Sequence, residues 1–257
     1  MNIRQQECYS MNRSLFILLG FVFVLSAGGS VHGQAPGDAD EASQGPILFE
    51  DDFERVEADD AMEQIGNGWE TNSKKRAKGN KQVDLKDGVL WISRHPVADH
   101  GVSVVKDVDF RDARIEMRFR LSVGDDLGIN LADMQEKSVH AGHICVARIR
   151  LNKVDITDLK TGPMNLGNRE LKLAGKLSKQ QKKLIAQKTK TFPVKLKADV
   201  WHSLVVEVQD DQMSVNLDGV DVGGFKSPGI SHPTKRRLRL SVGKSAVVDD
   251  LSIRGKL

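Results

Sequence analysis

Two cysteines in 257 residues, Cys8 and Cys145, are too few for a disulfide framework, so burial of apolar surface has to hold the fold together. Aromatic residues make up 5% of the chain, with three tryptophans and one tyrosine, which leaves few flat rings for stacking on a ligand. There is no G-x-G-x-x-G, no P-loop and no paired C-x-x-C, so dinucleotide, nucleoside triphosphate and structural zinc sites have no support. Lys and Arg number 38 against 35 Asp and Glu, for a net charge of +3; this near balance argues against nucleic acid as a partner. The one long apolar run, "SLFILLGFVFVLSA" (Ser14 to Ala27), is too short to span a bilayer comfortably.

That run follows Arg13 and precedes the small residues of "GGSVHG", the pattern of a secretory signal peptide. With Val31 and Gly33 at the −3 and −1 positions, cleavage is expected after Gly33, and the chain is expected to be secreted or periplasmic. The membrane then matters only during export. Cleavage removes Arg4, Arg13 and Glu7, lowering the net charge by one, and leaves Cys145 as the sole thiol. A lone cysteine without a base reads as a small buried hydrophobe. "QAPGDADEASQGP" (34–46) has no periodic apolar pattern and reads as a flexible lead-in.

From Ile47 onward apolar residues alternate with polar ones, the two-residue period of a half-buried strand. "ARIEMRFRL" sets Ile115, Met117, Phe119 and Leu121 against Arg114, Glu116, Arg118 and Arg120. Asp87-Gly88, Asn152-Lys153, Asp210-Asp211 and Asp218-Gly219 supply turns between runs. "KKRAKGNK" (74–81) reads as a basic surface loop and "FPVKLK" (192–197) as a strand. Alternation fails over Arg169 to Lys190, where Ser178 and Gln181 have capping-box spacing. A basic helical insertion at about 165–190 follows, with a helix over Lys179 to Lys188 as the longest helical piece. About a dozen short strands with so little helix predict an all-β, two-sheet antiparallel jelly-roll sandwich.

Four segments, "FEDDFER", "DARIEMRFRL", "WHSLVVEVQDDQMSVNLDG" and "AVVDDLSI", occur in the order found in concanavalin A-like lectin/glucanase domains. Within that superfamily the chain resembles the 3-keto-disaccharide hydrolase-like family over about 47–254. The resemblance implies a concave sheet that carries any saccharide site, and hydrolase activity on 3-keto-glycosides or related disaccharides. It also implies a structural calcium ion at Asp249 and Asp250, near Asp51 and Asp52; oxygen-only ligands suit calcium. One feature departs from it. Laminarinase-type relatives follow the "DARIEMRFRL" strand with an E-x-D-x-x-E strand carrying two catalytic carboxylates, whereas here only Asp125, Asp126, Asp133 and Glu136 follow, in loop-like context.

The residues themselves offer other chemistry. His140 and His143 can converge if they lie in a loop, and His143 with Glu116 or Asp133 is a candidate base and acid, since opening a 3-keto sugar needs a base beside an acidified C–H and a cation on the ketone. Arg114, Arg118 and Arg120 on one strand, Arg148 and Arg150 on another, and Arg237 and Arg239 on a third form a guanidinium surface around Glu116 if those strands share a sheet, suited to the carboxylate or sulfate groups of an acidic saccharide. The bland alternative is a solvated face balanced by acids. Trp91 lies opposite Leu90 and Ile92, where its ring can stack on a sugar. The expected function is a secreted carbohydrate-active or carbohydrate-binding domain, with a non-catalytic module holding a protein or an anionic glycan as the alternative. Sequencing the N-terminus of protein recovered outside the cytoplasm should give Gln34 as the first residue; an intact Met1 or Met11 start there contradicts the cleavage.

Overall fold

The computed structural model describes residues 45–256; the predicted signal peptide (1–33) and residues 34–44 of the lead-in lie outside them. Fifteen strands among the described residues form two antiparallel sheets. They are β1 (Ile47–Asp51), β2 (Trp69–Thr71), β3 (Val83–Lys86), β4 (Val89–Ser93), β5 (Val102–Phe110), β6 (Ala113–Arg120), β7 (Leu127–Ala132), β8 (His143–Arg150), β9 (Lys153–Asp158), β10 (Thr189–Pro193), β11 (His202–Gln209), β12 (Gln212–Leu217), β13 (Val220–Lys226), β14 (Lys235–Val242) and β15 (Ser245–Gly255). The eight-stranded sheet runs β13-β12-β11-β6-β15-β4-β3, with β1 also pairing β15; the seven-stranded sheet runs β10-β9-β8-β7-β14-β5-β2.

The two inner faces meet in one apolar cluster. Ile115, Met117 and Phe119 of β6 and Leu204, Val206 and Val208 of β11 supply it from one sheet. Leu127, Ile129 and Leu131 of β7 and Leu238, Leu240 and Val242 of β14 supply it from the other. Each such side chain contributes roughly 1.5–3 kcal/mol by leaving water, and together they replace the missing disulfides. The jelly-roll sandwich expected from the alternation is the observed fold. Cys145 is fully buried in this core, and burial pushes its thiol up to about 12.

Turn chemistry fixes the hairpin registers. Asp87 and Gly88 between β3 and β4, and Asp218 and Gly219 between β12 and β13, all have positive φ, as the tight twisted turn of a two-residue hairpin requires. The turn before β9 is Leu151-Asn152, one residue earlier than expected, because Lys153 already pairs with Arg150.

The insertion differs from expectation in detail. β9 and β10 pair directly, so the insertion is the connection of a hairpin. It holds two helices of equal length, α2 (Leu166–Leu173) and α3 (Lys179–Ala186); the expected helix is α3, two residues shorter than predicted and not the longest alone. Ser178 and Gln181 form the capping box, each side chain bound to the other's backbone N–H. α2 begins at Asn165, whose side chain accepts from the Asn168 N–H. "KKRAKGNK" contains part of a one-turn helix, α1 (Ser73–Arg76), rather than loop alone. "FPVKLK" is not a strand beyond Pro193: β10 starts three residues earlier, at Thr189, where Thr157 offers a partner, and Val194 and Leu196 bond instead to the Asn152 and Leu151 carbonyls.

Two buried carboxylates anchor the ends. Asp158 accepts from Thr161, Ser227 and the Gly229 N–H, tying the start of the insertion to the β13–β14 connection. A Cβ on Gly229 would collide with the Asp158 carboxylate, so that position needs glycine. Asp51 accepts from Arg55, Asn67, Trp69 and the Phe53 N–H. Burial pushes the Asp51 carboxyl up, but these four donors outweigh it and hold its pKa below the ordinary value. A depressed carboxyl stabilises the fold above its unfolded pKa and loses that stability as pH falls through the folded value. Asp51→Asn should therefore lower the melting temperature at neutral pH and flatten the acid loss of stability that wild type shows below about pH 4. Identical melting curves for both proteins across that range contradict this role.

Candidate functional site

Alternation sends most charged strand residues, Lys235, Asp51 and Asp158 excepted, to one of two outer faces, which point away from each other. On the outer face of the eight-stranded sheet, Arg114 binds Glu116 (2.5 Å) and Glu207 (2.8 Å). Arg118 lies 3.3 Å from Asp249 and 3.1 Å from Asp250. Trp91 is on this face as expected, but the Arg120 guanidinium stands 5.1 Å from its ring centre and 5.3 Å from that of Trp201. Calcium needs six to eight oxygens, and the residues here do not fit that demand. Asp51 is spent on four protein donors, and Asp249 and Asp250 have Arg118 as counter-charge. No group of three or more His, Cys, Asp and Glu suited to a metal ion occurs among the described residues. The Asp249 carboxyl is pushed up by burial and by Asp250, with Arg118 opposing.

The seven-stranded sheet carries the rest. Arg148 binds Asp126 and the Ser241 hydroxyl, Arg150 binds Asp155 (2.5 Å), and Arg237 binds Asp107 through two nitrogens (2.5 and 2.9 Å). Gly128 of β7 leaves the space that the Arg148 guanidinium fills. The expected single guanidinium surface is thus divided. β8 and β14 share a sheet, one strand apart, but β6 belongs to the other. Glu116 and His143 consequently do not meet, nor do Arg118 and Arg148. Asp133, the other acid considered for His143, is bound by His232 (2.8 Å) and Arg236 (2.6 Å).

What the structure brings to His143 is different. Its Nδ1 lies 2.9 Å from the amide of Asn130 on β7 and 3.0 Å from Nη1 of Arg239 on β14. Asn130 is buried although it points outward, because the side chains of the flanking strands cover it. Arg239 also donates to the Ala141 carbonyl (3.3 Å) in the loop before β8, and the His140 ring stands 6.5 Å from His143, so the two histidines converge. Gly142 holds that loop close: its φ is positive, and a Cβ there would meet the Asp133 backbone. Among the described residues no carboxylate pairs with Arg239. Burial, then Arg237, brings the guanidinium down to about 10, and burial, then Arg239, brings the His143 imidazole down to about 3. A half-buried cation beside a neutral base, with no acid to quench it, can take an oxyanion and a proton on adjacent atoms. Sequence reasoning named His140, His143 and Arg239 but not Asn130; outward Asn in an otherwise apolar "LGINLA" was the available signal.

Residues 63–250 match the profile of a 3-keto-alpha-glucoside-1,2-lyase-like domain. No curated protein matches the chain in sequence. Among solved structures, the chain is similar to the laminarinase from Rhodothermus marinus, at 13% identity over 82% of this chain and 97% of that one, TM-score 0.53. It is similar to the laminarinase catalytic domain from Thermotoga maritima MSB8, at 12% identity over 83% and 99%, TM-score 0.53. A protein of unknown function with a galectin-like fold from Bacillus subtilis gives 11% identity over 82% and 96%, TM-score 0.52. At these identities the likeness is one of fold, the two-sheet jelly roll.

An imidazole titration by NMR should find His143 neutral down to about pH 4, and Arg239→Gln should raise its midpoint by removing one cause of the depression. A wild-type midpoint at the ordinary value of 6.5 contradicts the geometry.

Proposed function

The chain belongs to the 3-keto-alpha-glucoside-1,2-lyase-like family, and from that premise we propose that it opens 3-keto-glycosides on the outer face of the seven-stranded sheet, after export from the cytoplasm. The family makes it a carbohydrate-active or carbohydrate-binding domain. The observation that supports the finer reading is Arg239, half-buried without a carboxylate and within hydrogen-bond distance of a neutral imidazole.

In a 3-keto-glycoside the C2 proton is acidified by the ketone at C3 and lies next to the anomeric carbon. In the proposed step the His143 imidazole takes that proton, and the Arg239 guanidinium holds the oxygen at C3 as it becomes an enolate. The C1–O bond then breaks, its electron pair leaves on the aglycone oxygen, and C1 and C2 become doubly bonded. The proton held by His143 passes to that oxygen. Water added across the double bond completes net hydrolysis. An imidazole near 3 is a weak base, but part of that weakness comes from Arg239. The developing oxyanion on Arg239 offsets it as the proton moves. With the proton on Nδ1, donated to the Asn130 side-chain oxygen (3.2 Å), Nε2 carries the lone pair that takes the C2 proton.

His143→Ala should lower kcat/KM for a 3-keto-glucoside by roughly 10²–10⁴-fold, the usual worth of a general base. Arg239→Gln should lower it by roughly 10²–10³-fold, as loss of an oxyanion donor does. Wild type that releases no aglycone, or variants that retain full turnover, overturn the proposal.

A further inference from the structure

Of the arginines on β6, β8 and β14, six have a carboxylate partner: Arg114, Arg118, Arg148, Arg150, Arg236 and Arg237. Arg239 belongs to the site above. Arg120 is the remaining one, and it has a different environment. Among the described residues its guanidinium makes no hydrogen bond and no ion pair, and two indoles flank it, those of Trp91 and Trp201. The run of contacts continues to Arg118, 4.9 Å from the Trp201 ring centre.

Register explains how the cluster assembles. Val247 of β15 pairs with both Arg120 and Trp91, so those two side chains stand on one face across a single strand. Trp201 immediately precedes β11, whose first residue, His202, pairs with Phe119. Two of the three tryptophans in the chain are thereby set against one arginine. Trp91 also has its Nε1 enclosed with no acceptor, at the desolvation cost of a buried donor left unpaired.

We propose that Trp91, Arg120 and Trp201 form a second binding site, on the face opposite His143, that takes the carboxylate of an acidic saccharide. The Arg120 N–H groups are spent on no protein acceptor among the described residues, and a guanidinium matches a carboxylate through two parallel N–H donors. The nearby acids have basic partners of their own and do not bind Arg120. Asp249 and Asp250 share the Arg118 guanidinium, and Asp84, which pairs across from Trp91, is held by Lys81 at 2.5 Å. The indoles supply apolar surface for the sugar ring beside its carboxylate. That the ligand is a saccharide rests on the family reading; that it is anionic rests on Arg120.

Tryptophan fluorescence reads the site directly. Titration with trigalacturonate should give a saturable change, and its fully methyl-esterified form should give none. Arg120→Lys keeps the charge but removes the fork, and should weaken binding at least tenfold. Trp91→Phe should weaken it as well, and serves as the test if Arg120→Lys fails to fold. His143→Ala should leave the binding unchanged, and Arg120→Lys should leave keto-glycoside turnover unchanged, so the two sites fail separately. Equal affinity for the ester, unchanged affinity in the folded variants, or displacement of trigalacturonate by equimolar sulfate overturns the proposal.

Discussion

A single apolar core shared by two sheets is the constraint on which everything else depends. Because each strand spends one face on that core, most of its charged residues go to the opposite face, and the two sheets send theirs in opposite directions. No site can then recruit side chains from the outer faces of both sheets. Glu116 and His143, each reasonable as half of a catalytic pair, are separated by the whole thickness of the core. What remains is local pairing within each sheet, and most arginines find a carboxylate on the adjacent strand or the loop leading into it.

Against that background the two arginines of β6, β8 and β14 that lack a carboxylate among the described residues, Arg120 and Arg239, carry information. An arginine needs counter-charge or solvent, and Arg239 is half-buried with neither a carboxylate nor full exposure. It is held instead by a neutral ring and a backbone carbonyl. The surrounding scaffold is built to keep it so. Asp133 binds His232 and Arg236 at the base of the loop that presents Ala141, and Lys160 links His232 to Glu136. Burial raises the Asp133 carboxyl, but His232, the Gln135 N–H and Arg236 bring it below its usual value. The Ser138 N–H and Lys160 bring Glu136 to about 2. These acids stay ionised and engaged, so they cannot swing across to neutralise Arg239. Nearby, Lys235 is wholly buried on two carbonyls, its pKa lowered by burial, and pins the start of β14.

Much of this was legible in the sequence, and the remainder failed for identifiable reasons. Long runs such as Ala113–Arg120 and His202–Gln209 show the two-residue period over enough positions to fix both strand and face. Three-residue β2 gives no such run. β10 is largely exposed and lies against β9 at the edge of its sheet, so its pattern is weak. α3 was visible through its capping box; α2 has only Asn165, and no residue faces the core to give it a stripe. The site was harder. Alternation tells which face a residue takes within its strand but not which sheet the strand joins, so Arg118 and Arg148 looked like neighbours. Pairing and its absence depend on cross-strand register, which is why Arg120 and Arg239 did not stand out from the other arginines.

Chemical-shift mapping with a 3-keto-glucoside tests the central claim most directly, because it reports which face the sugar occupies. The account predicts perturbations confined to Asn130, His140, His143 and Arg239 on the seven-stranded sheet. Shifts centred on Arg114, Glu116 and Arg118, on the opposite sheet, would contradict it.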